Sequence, residues 1–319
     1  MKKNGIYLML FVFISVTFVC CNNDDNKDET IDLNAEKMQD FVANISAYSR
    51  AIKPNFIIIP QNGVELAFNY TDPADGIKHA YLNAIDGIGV EELFYDGSLS
   101  IDHERLAMLR QLKFAATIMV SDFVANNTNI TDAIKRSQSE GFISFPRSSD
   151  NYDYMLVPET ITDENDKDII KLSDAKNYLY LISSDMFDTK QSMISTIAAT
   201  NYDIVLIDLF FNGQSFIREE IQSLQTKANG GNRLVIAYVS IGSAENYRYY
   251  WMPDWELGNP SWLKKKYEGY DDEIWVEFWD SQWQNIIYGN EESYIKKIID
   301  AGFDGAYLDN VEGYYFLCQ

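Results

Sequence analysis

The chain has 319 residues, 46% apolar and 23% charged, enough apolar material for one sizeable buried core and typical of a globular protein. With 48 acidic residues against 26 basic ones, its formal charge of −22 excludes nucleic acid as a partner, because phosphate binding needs a basic surface. Such a charge suits solubility, or a cationic substrate.

In chain order, Lys2 and Lys3 precede an apolar run from Ile6 to Val19 that is short for a bilayer span and has the make-up of a signal-peptide core. The run ends at Cys20 and Cys21, followed by NNDDNKDE. This arrangement resembles a bacterial lipoprotein signal. The resemblance implies a signal peptide over residues 1–21, lipidation of Cys21 with Cys20 as the alternative, and an outer-membrane lipoprotein, periplasmic or surface-exposed, held to the membrane by its N-terminal lipid. Residues 22–34, polar and acidic, read as a flexible tether before a single domain over 35–319. Cys318 stands far from the other two cysteines, so no disulfide framework is expected. The two histidines, His79 and His103, form no ligand-spaced cluster, so neither a metal nor another cofactor is expected.

Met38, Phe41, Val42, Ile45 and Tyr48 recur at helical spacing up to Pro54 and predict a helix over 35–52. Strand-like runs follow at 56–60, 85–91, 114–121 and 141–146. The acidic stretch 159–168 interrupts the pattern and opens a linker over 159–176. Four more strands are predicted at 177–183, 203–209, 233–240 and 303–309. Helical patterns separate them: Met193, Ile194 and Ile197; Ile217, Ile221, Leu224 and Ala228; Ile286, Ile287, Tyr294, Ile295 and Ile298. Gly230 and Gly231 sit where a helix C-cap is expected. These strands are continuous apolar runs, as in a parallel sheet covered on both faces. Eight strands with intervening helices predict an α/β fold, with a (β/α)8 TIM barrel as the leading architecture. A doubly wound open sheet is the alternative, but the chain has no GxGxxG or P-loop pattern to favour it.

YVSIGSAENYRYYW (238–251), GNPSWL, VEFWDSQWQNII and IIDAGFDGAYLDNVEGYYF together resemble glycosidases related to glycoside hydrolase family 114, whose named activity is endo-α-1,4-polygalactosaminidase. FVANISAYSRAIKPNFIIIPQNGVEL (41–66) and IDGIGVEELFYDG (85–97) resemble segments of the same family that lie downstream of the YLD strand there. The order implies a circularly permuted barrel, in which the linker joins the family's two termini; a truncated tandem of half-domains is the less economical alternative. In family order the strands begin at 177, 203, 233, 303, 56, 85, 114 and 141.

Barrel enzymes place their chemistry at the C-terminal ends of the strands, and glycoside hydrolysis needs two carboxyl groups flanking the scissile bond. The resemblance places Asp309 at the nucleophile position and Glu91 at the acid/base position, and implies a retaining mechanism with the carboxyls about 5–5.5 Å apart. An Asp after an apolar strand is otherwise often a helix N-cap or loop residue. Strand alternation lets only one of Glu91 and Glu92 face the pocket, and VEELFY favours Glu91. Glu312 departs from the Asp usual at that family position. Further candidates for binding substrate are Asp208, Tyr238, Ser240, Glu245, Tyr247, Arg248 and Glu312, with Gln61 and Asn62 after the fifth strand in family order. For Glu245 and Arg248 a structural ion pair is an equal alternative. Trp251, Trp279 and Tyr314 are candidates to stack on sugars or to fill the core. Asp280 reads as an N-cap.

The function implied is endo-hydrolysis of an α-linked, galactosamine-containing polysaccharide, whose cationic forms an acidic cleft would attract. A non-catalytic glycan-binding lipoprotein and a glycosidase of other sugar specificity are the alternatives. The cut in the permuted chain also places the tether beside the active site.

Overall fold

A computed structural model describes residues 24–148 and 154–319. The expected signal peptide, with Cys20 and Cys21, lies outside the described residues.

The first half runs α1 (Asp24–Ile52), β1 (Ile57–Pro60), α2 (His79–Ala84), β2 (Gly87–Leu99), α3 (His103–Leu112), β3 (Thr117–Val124), α4 (Ile130–Glu140) and β4 (Ile143–Ser144). The second half begins with β5 (Tyr178–Leu181), α5 (Lys190–Ala198), β6 (Ile204–Asp208), the small hairpin β7 (Phe210–Phe211) and β8 (Gln214–Ser215), and α6 (Arg218–Leu224). It continues through β9 (Leu234–Ser240), β10 (Ser243–Glu245), β11 (Leu263–Lys266), β12 (Glu273–Val276), α7 (Ser281–Ile287), α8 (Tyr294–Ala301), β13 (Gly305–Asp309) and α9 (Gly313–Phe316).

All eight apolar runs contain parallel strands. Five pair in the order β1-β13-β9-β6-β5, and three in the order β2-β3-β4. A parallel bridge between Gln61 and Gly89 joins the two sheets at the β1–β2 seam. The succession in space is therefore β5, β6, β9, β13, β1, β2, β3, β4, and the last strand of the chain lies beside the first. Between β4 and β5 the contact is aromatic: the ring of Phe145 lies 5.5 Å from that of Tyr178. β1, β5 and β9 are buried along their whole length, as strands covered on both faces must be. Gly89 is required at the β1–β2 seam, since a Cβ there would stand 1.8 Å from the Tyr307 hydroxyl.

Helix α1 buries Met38, Phe41, Val42 and Ile45 completely, so the helical spacing does mark its inner face. Residues 24–34, expected as a flexible tether, form its first turns. Acidic residues suit a helix N-terminus, and Ile31 and Ala35 already pack on the core. The expected linker lacks regular strands but is tied down. Buried Lys227 donates to the Asp203 carboxylate (2.6 Å) and to the carbonyl of Lys167 (2.8 Å), while Ile169 and Leu172 join the core.

Further sequence expectations need correction. α6 ends at Leu224, so Ala228 is not helical. Gly230 turns the chain between Thr226 and Asn232 instead of capping a helix, because its N–H returns to the Lys227 carbonyl. The apolar residues 286–298 divide between α7 and α8 around Gly289. An antiparallel sheet, β10-β12-β11, rises from residues 243–276, where no strand was expected.

Candidate active site

The C-terminal ends of the parallel strands open onto a cleft of about 910 Å³. Gln61 and Asn62 reach it from beyond β1, Glu91 from β2, Asp208 from β6, Tyr238 from β9 and Asp309 from β13. The β10-β12-β11 sheet and its turns add Glu245, Tyr267, Tyr270 and Glu273 along one side. Nine carboxyl groups and two arginines, Arg105 and Arg248, line the cleft, so its potential is strongly negative.

Strand ends turn sharply at this face. Asn62, Glu92 and Asn310 all have positive φ (58°, 50° and 61°), a conformation Asn tolerates and Glu seldom adopts. Glu92 is held there from two sides: its carboxylate pairs with Arg147, and its carbonyl accepts from Arg105 at 2.9 Å. Behind it, buried Asp122 accepts the backbone N–H groups of Phe94 (2.9 Å) and Tyr95 (3.3 Å). That bonding supports the break in β2 register between Glu91 and Asp96. Glu91 and Glu92 therefore both line the cleft, against the expectation that only one would: the positive φ at Glu92 interrupts the strand alternation, and Glu92 is paired there with Arg147.

Asp309 caps no helix, since α9 begins only after Glu312. Its Oδ2 accepts from the Tyr238 hydroxyl at 2.6 Å and its Oδ1 from the Asn310 N–H at 2.7 Å. Burial pushes its pKa up to about 6, and these two donors oppose the rise by favouring the carboxylate. Asn310 is itself fixed, donating from Nδ2 to Ser240 Oγ (2.9 Å) and Ser243 Oγ (3.0 Å). Ser240 thus stands behind the cleft as a support for Asn310 and does not line it.

Glu91 is pushed further, to about 7. Burial is the main cause; the Tyr154 hydroxyl bond opposes it, and the charges of Asp309 and Glu92 add to it. Tyr154 donates to Glu91 Oε1, and Asn62 Nδ2 lies 3.5 Å from Oε2. Glu312, also in the cleft, is raised to about 7 by burial.

Arg248 has its donors committed to protein carboxylates. Its Nε and Nη2 reach the Glu245 carboxylate at 2.7 and 2.9 Å, and its Nη1 and Nη2 reach Asp208 at 2.9 and 2.7 Å. The ion-pair alternative is therefore the one present: a buried carboxylate–guanidinium–carboxylate triad in the cleft wall. Gln61 accepts from the Tyr180 hydroxyl at 2.9 Å. Asp280 is an N-cap, accepting from the Gln282 N–H at 2.8 Å.

The expected aromatic platforms lie elsewhere. Trp279 packs on the α1 side, where the Lys37 ammonium sits 3.9 Å above its ring, and it does not line the cleft. Tyr314 is buried and does not line the cleft, and Trp251 packs edge-on against Trp255. In their place Tyr180, Tyr247, Tyr249, Tyr267 and Tyr270 present rings to the cleft. Tyr154 and Glu273 were also missed. Glu273 accepts from Ser243 Oγ at 2.6 Å, and burial with the nearby charges of Glu245 and Asp309 raises its pKa to about 8. No sequence signal marked Glu273, since EIWV shows no polar–apolar alternation.

The chain is similar to three proteins of uncharacterised function. It is 30% identical to one from Methanocaldococcus jannaschii over 56% of this chain and 49% of the relative. It is 29% identical to one from Thermotoga maritima over 39% of this chain and 36% of the relative. It is 30% identical to one from Deinococcus radiodurans over 39% of this chain and 38% of the relative. The chain thus spans half or less of the length of these relatives. Residues 133–319, more than half of the chain, match the model of glycoside-hydrolase family GH114, and the chain belongs to that family.

Proposed function

We propose that the chain is a retaining, endo-acting glycoside hydrolase of α-linked, galactosamine-containing polysaccharide, with Asp309 as nucleophile and Glu91 as acid/base. The observation that carries this reading is the pair of buried carboxyls in the cleft, Asp309 at the end of β13 and Glu91 at the register break within β2. Asp309 takes two donors that favour its anion. Glu91 lies deeper in unfavourable charge and keeps its proton to higher pH. As pH rises the first ionises before the second, so the pair passes through a state with Asp309 ionised and Glu91 protonated.

In the first step an Asp309 oxygen bonds to the anomeric carbon as the glycosidic C–O bond breaks, and the Glu91 proton passes to the leaving oxygen. In the second, Glu91 takes a proton from water, whose oxygen bonds to the same carbon and releases the Asp309 carboxylate. The excess of carboxylates around the cleft favours a cationic amino-sugar chain. Proton NMR of the first-formed product tests the mechanism. The α-anomer appearing first supports retention; the β-anomer contradicts it.

In the same proposal the eight parallel strands close into a (β/α)8 barrel, with Phe145 and Tyr178 at the seam, and the chain is circularly permuted. The family match begins at residue 133 and includes β5, β6, β9 and β13. The strands that follow β13 in space, β1 to β3, precede it in sequence. A chain reopened within 159–168 and joined from residue 319 to residue 35 should fold and retain activity.

The lipoprotein assignment belongs here too, with lipid on Cys21 and an outer-membrane location. Asn34 Nδ2 donates to Cys318 Sγ at 3.2 Å, close to Glu312 and Phe316 in the cleft wall. An anchor preceding α1 would hold the cleft near the membrane. Cys21→Ser should move the full chain from the membrane fraction to the soluble fraction; unchanged partition contradicts the assignment.

A further inference from the structure

Tyr154 lies in the segment between β4 and β5, with its φ at 37°, a backbone conformation tyrosine seldom adopts. Its ring is stacked on Tyr180 at 3.7 Å with an interplanar angle of 15°, and its hydroxyl is 2.9 Å from Ser121 Oγ. The same hydroxyl donates to Glu91 Oε1. Ring and hydroxyl are thus both fixed, the ring by β5 and the hydroxyl by β3. With Phe145 and Tyr178 the ring also fills the seam where no hydrogen-bonded ladder links β4 to β5 among the described residues.

We propose that Tyr154 is a positioning residue for Glu91: anchored by Tyr180 and Ser121, it occupies Oε1 and leaves Oε2, approached only by the long 3.5 Å contact from Asn62 Nδ2, as the oxygen that exchanges a proton with substrate. The inference rests on Glu91 being the acid/base.

Two features support it. A side chain held at strained φ by stacking on one face and a buried hydroxyl at its tip has little freedom, so the bond to Glu91 adds little ordering cost. The bond is also the main interaction opposing the effect of burial on Glu91. Asp309, Glu92 and Arg147 are the charged groups facing Glu91, and the phenols of Tyr178, Tyr180, Tyr270 and Tyr307 are near enough to feel its charge. None of these is the donor to Oε1; that donor is the Tyr154 hydroxyl.

The sign is definite. A donor to the carboxylate favours the ionised form, so its removal keeps Glu91 protonated to higher pH. Tyr154→Phe keeps the ring and its stacking while deleting the donor. The alkaline limb of kcat/KM should move up by about one pH unit, with kcat lowered and KM little changed. Ser121→Ala should move the limb the same way by less, because the Tyr154 hydroxyl loses its anchor but not its bond to Glu91.

A second readout separates this inference from the proposed function. Carbon-13 NMR titration of glutamate side chains, with Glu91→Gln to assign the signal, follows Glu91 without turnover. An upward displacement of the Glu91 titration in Tyr154→Phe supports the inference even in a protein that cleaves no glycan. A Glu91 titration and alkaline limb that both stay within a tenth of a unit of wild type, or that move down, overturn it.

Discussion

Tyr238 reaches two residues along the parallel ladder to bond Asp309: Asp309 pairs with Ser240 in register, yet the Tyr238 hydroxyl donates to Asp309 Oδ2 across 2.6 Å. Burial of the Asp309 carboxyl is thereby offset on one oxygen by a phenol and on the other by the Asn310 N–H. An anion is sustained in a pocket already crowded with negative charge.

Tyr238→Phe removes the stronger of these supports. Asp309 then stays protonated to higher pH, so the acid limb of the pH–rate profile, near pH 6 in the wild type, should rise. A fall in kcat of about tenfold or more should accompany it. Initial rates from pH 4 to 8 provide the check.

Glu91, Glu273, Glu312 and Asp309 all bind protons more tightly in the folded chain than carboxyls do in an unfolded one. Their contribution to stability is complete below about pH 4. It declines as pH rises from about 4 and is gone once pH has passed the folded-state values of about 6 to 8, because over that range the folded state holds protons that the unfolded state has released. The melting temperature should therefore fall from pH 5 to pH 8. Glu273→Gln should flatten the upper part of that decline, near pH 8, and calorimetry across the range tests both.

Arg248 neutralises two buried carboxylates at once. Arg248→Ala should cost about 3–5 kcal/mol of unfolding free energy, since Asp208 and Glu245 are left facing one another. Arg248→Lys should recover little of this, because a single ammonium cannot reproduce the planar fork. Urea denaturation of both variants measures the loss.

Gly89→Ala forces a methyl into the Tyr307 hydroxyl and should destabilise the β1–β2 seam by about 1–3 kcal/mol. The denaturant midpoint of this variant gives the value.

The parallel strands were legible because each is a short, continuously apolar run, and helix α1 because its buried residues recur at helical spacing. That Glu91 and Asp309 would line the cleft was legible from the family resemblance, since strand patterning alone left Glu92 and a helix cap as rivals; their catalytic roles stay part of the proposal. Tyr154 escaped notice because it lies in a segment with no periodicity, and only the packing of β5 and β3 brings its hydroxyl to Glu91. Trp279 misled for the converse reason: a tryptophan that stacks on sugar and one that covers a lysine on a helix have the same local sequence. The acidic residues 24–34 suggested a tether by composition, yet negative charge at the start of a helix is favourable, and Ile31 supplies a contact that composition hides.

The most direct measurement is hydrolysis of α-1,4-linked galactosamine oligomers of graded acetylation by the domain from residue 24, which keeps all of α1, beside its Asp309→Asn variant. Cleavage by the wild type, reduced by at least about a thousandfold in Asp309→Asn with oligomer binding retained, is the predicted result. Equal turnover by both proteins, or binding without turnover by either on every oligomer, would contradict the assignment of Asp309 as the nucleophile of a glycoside hydrolase.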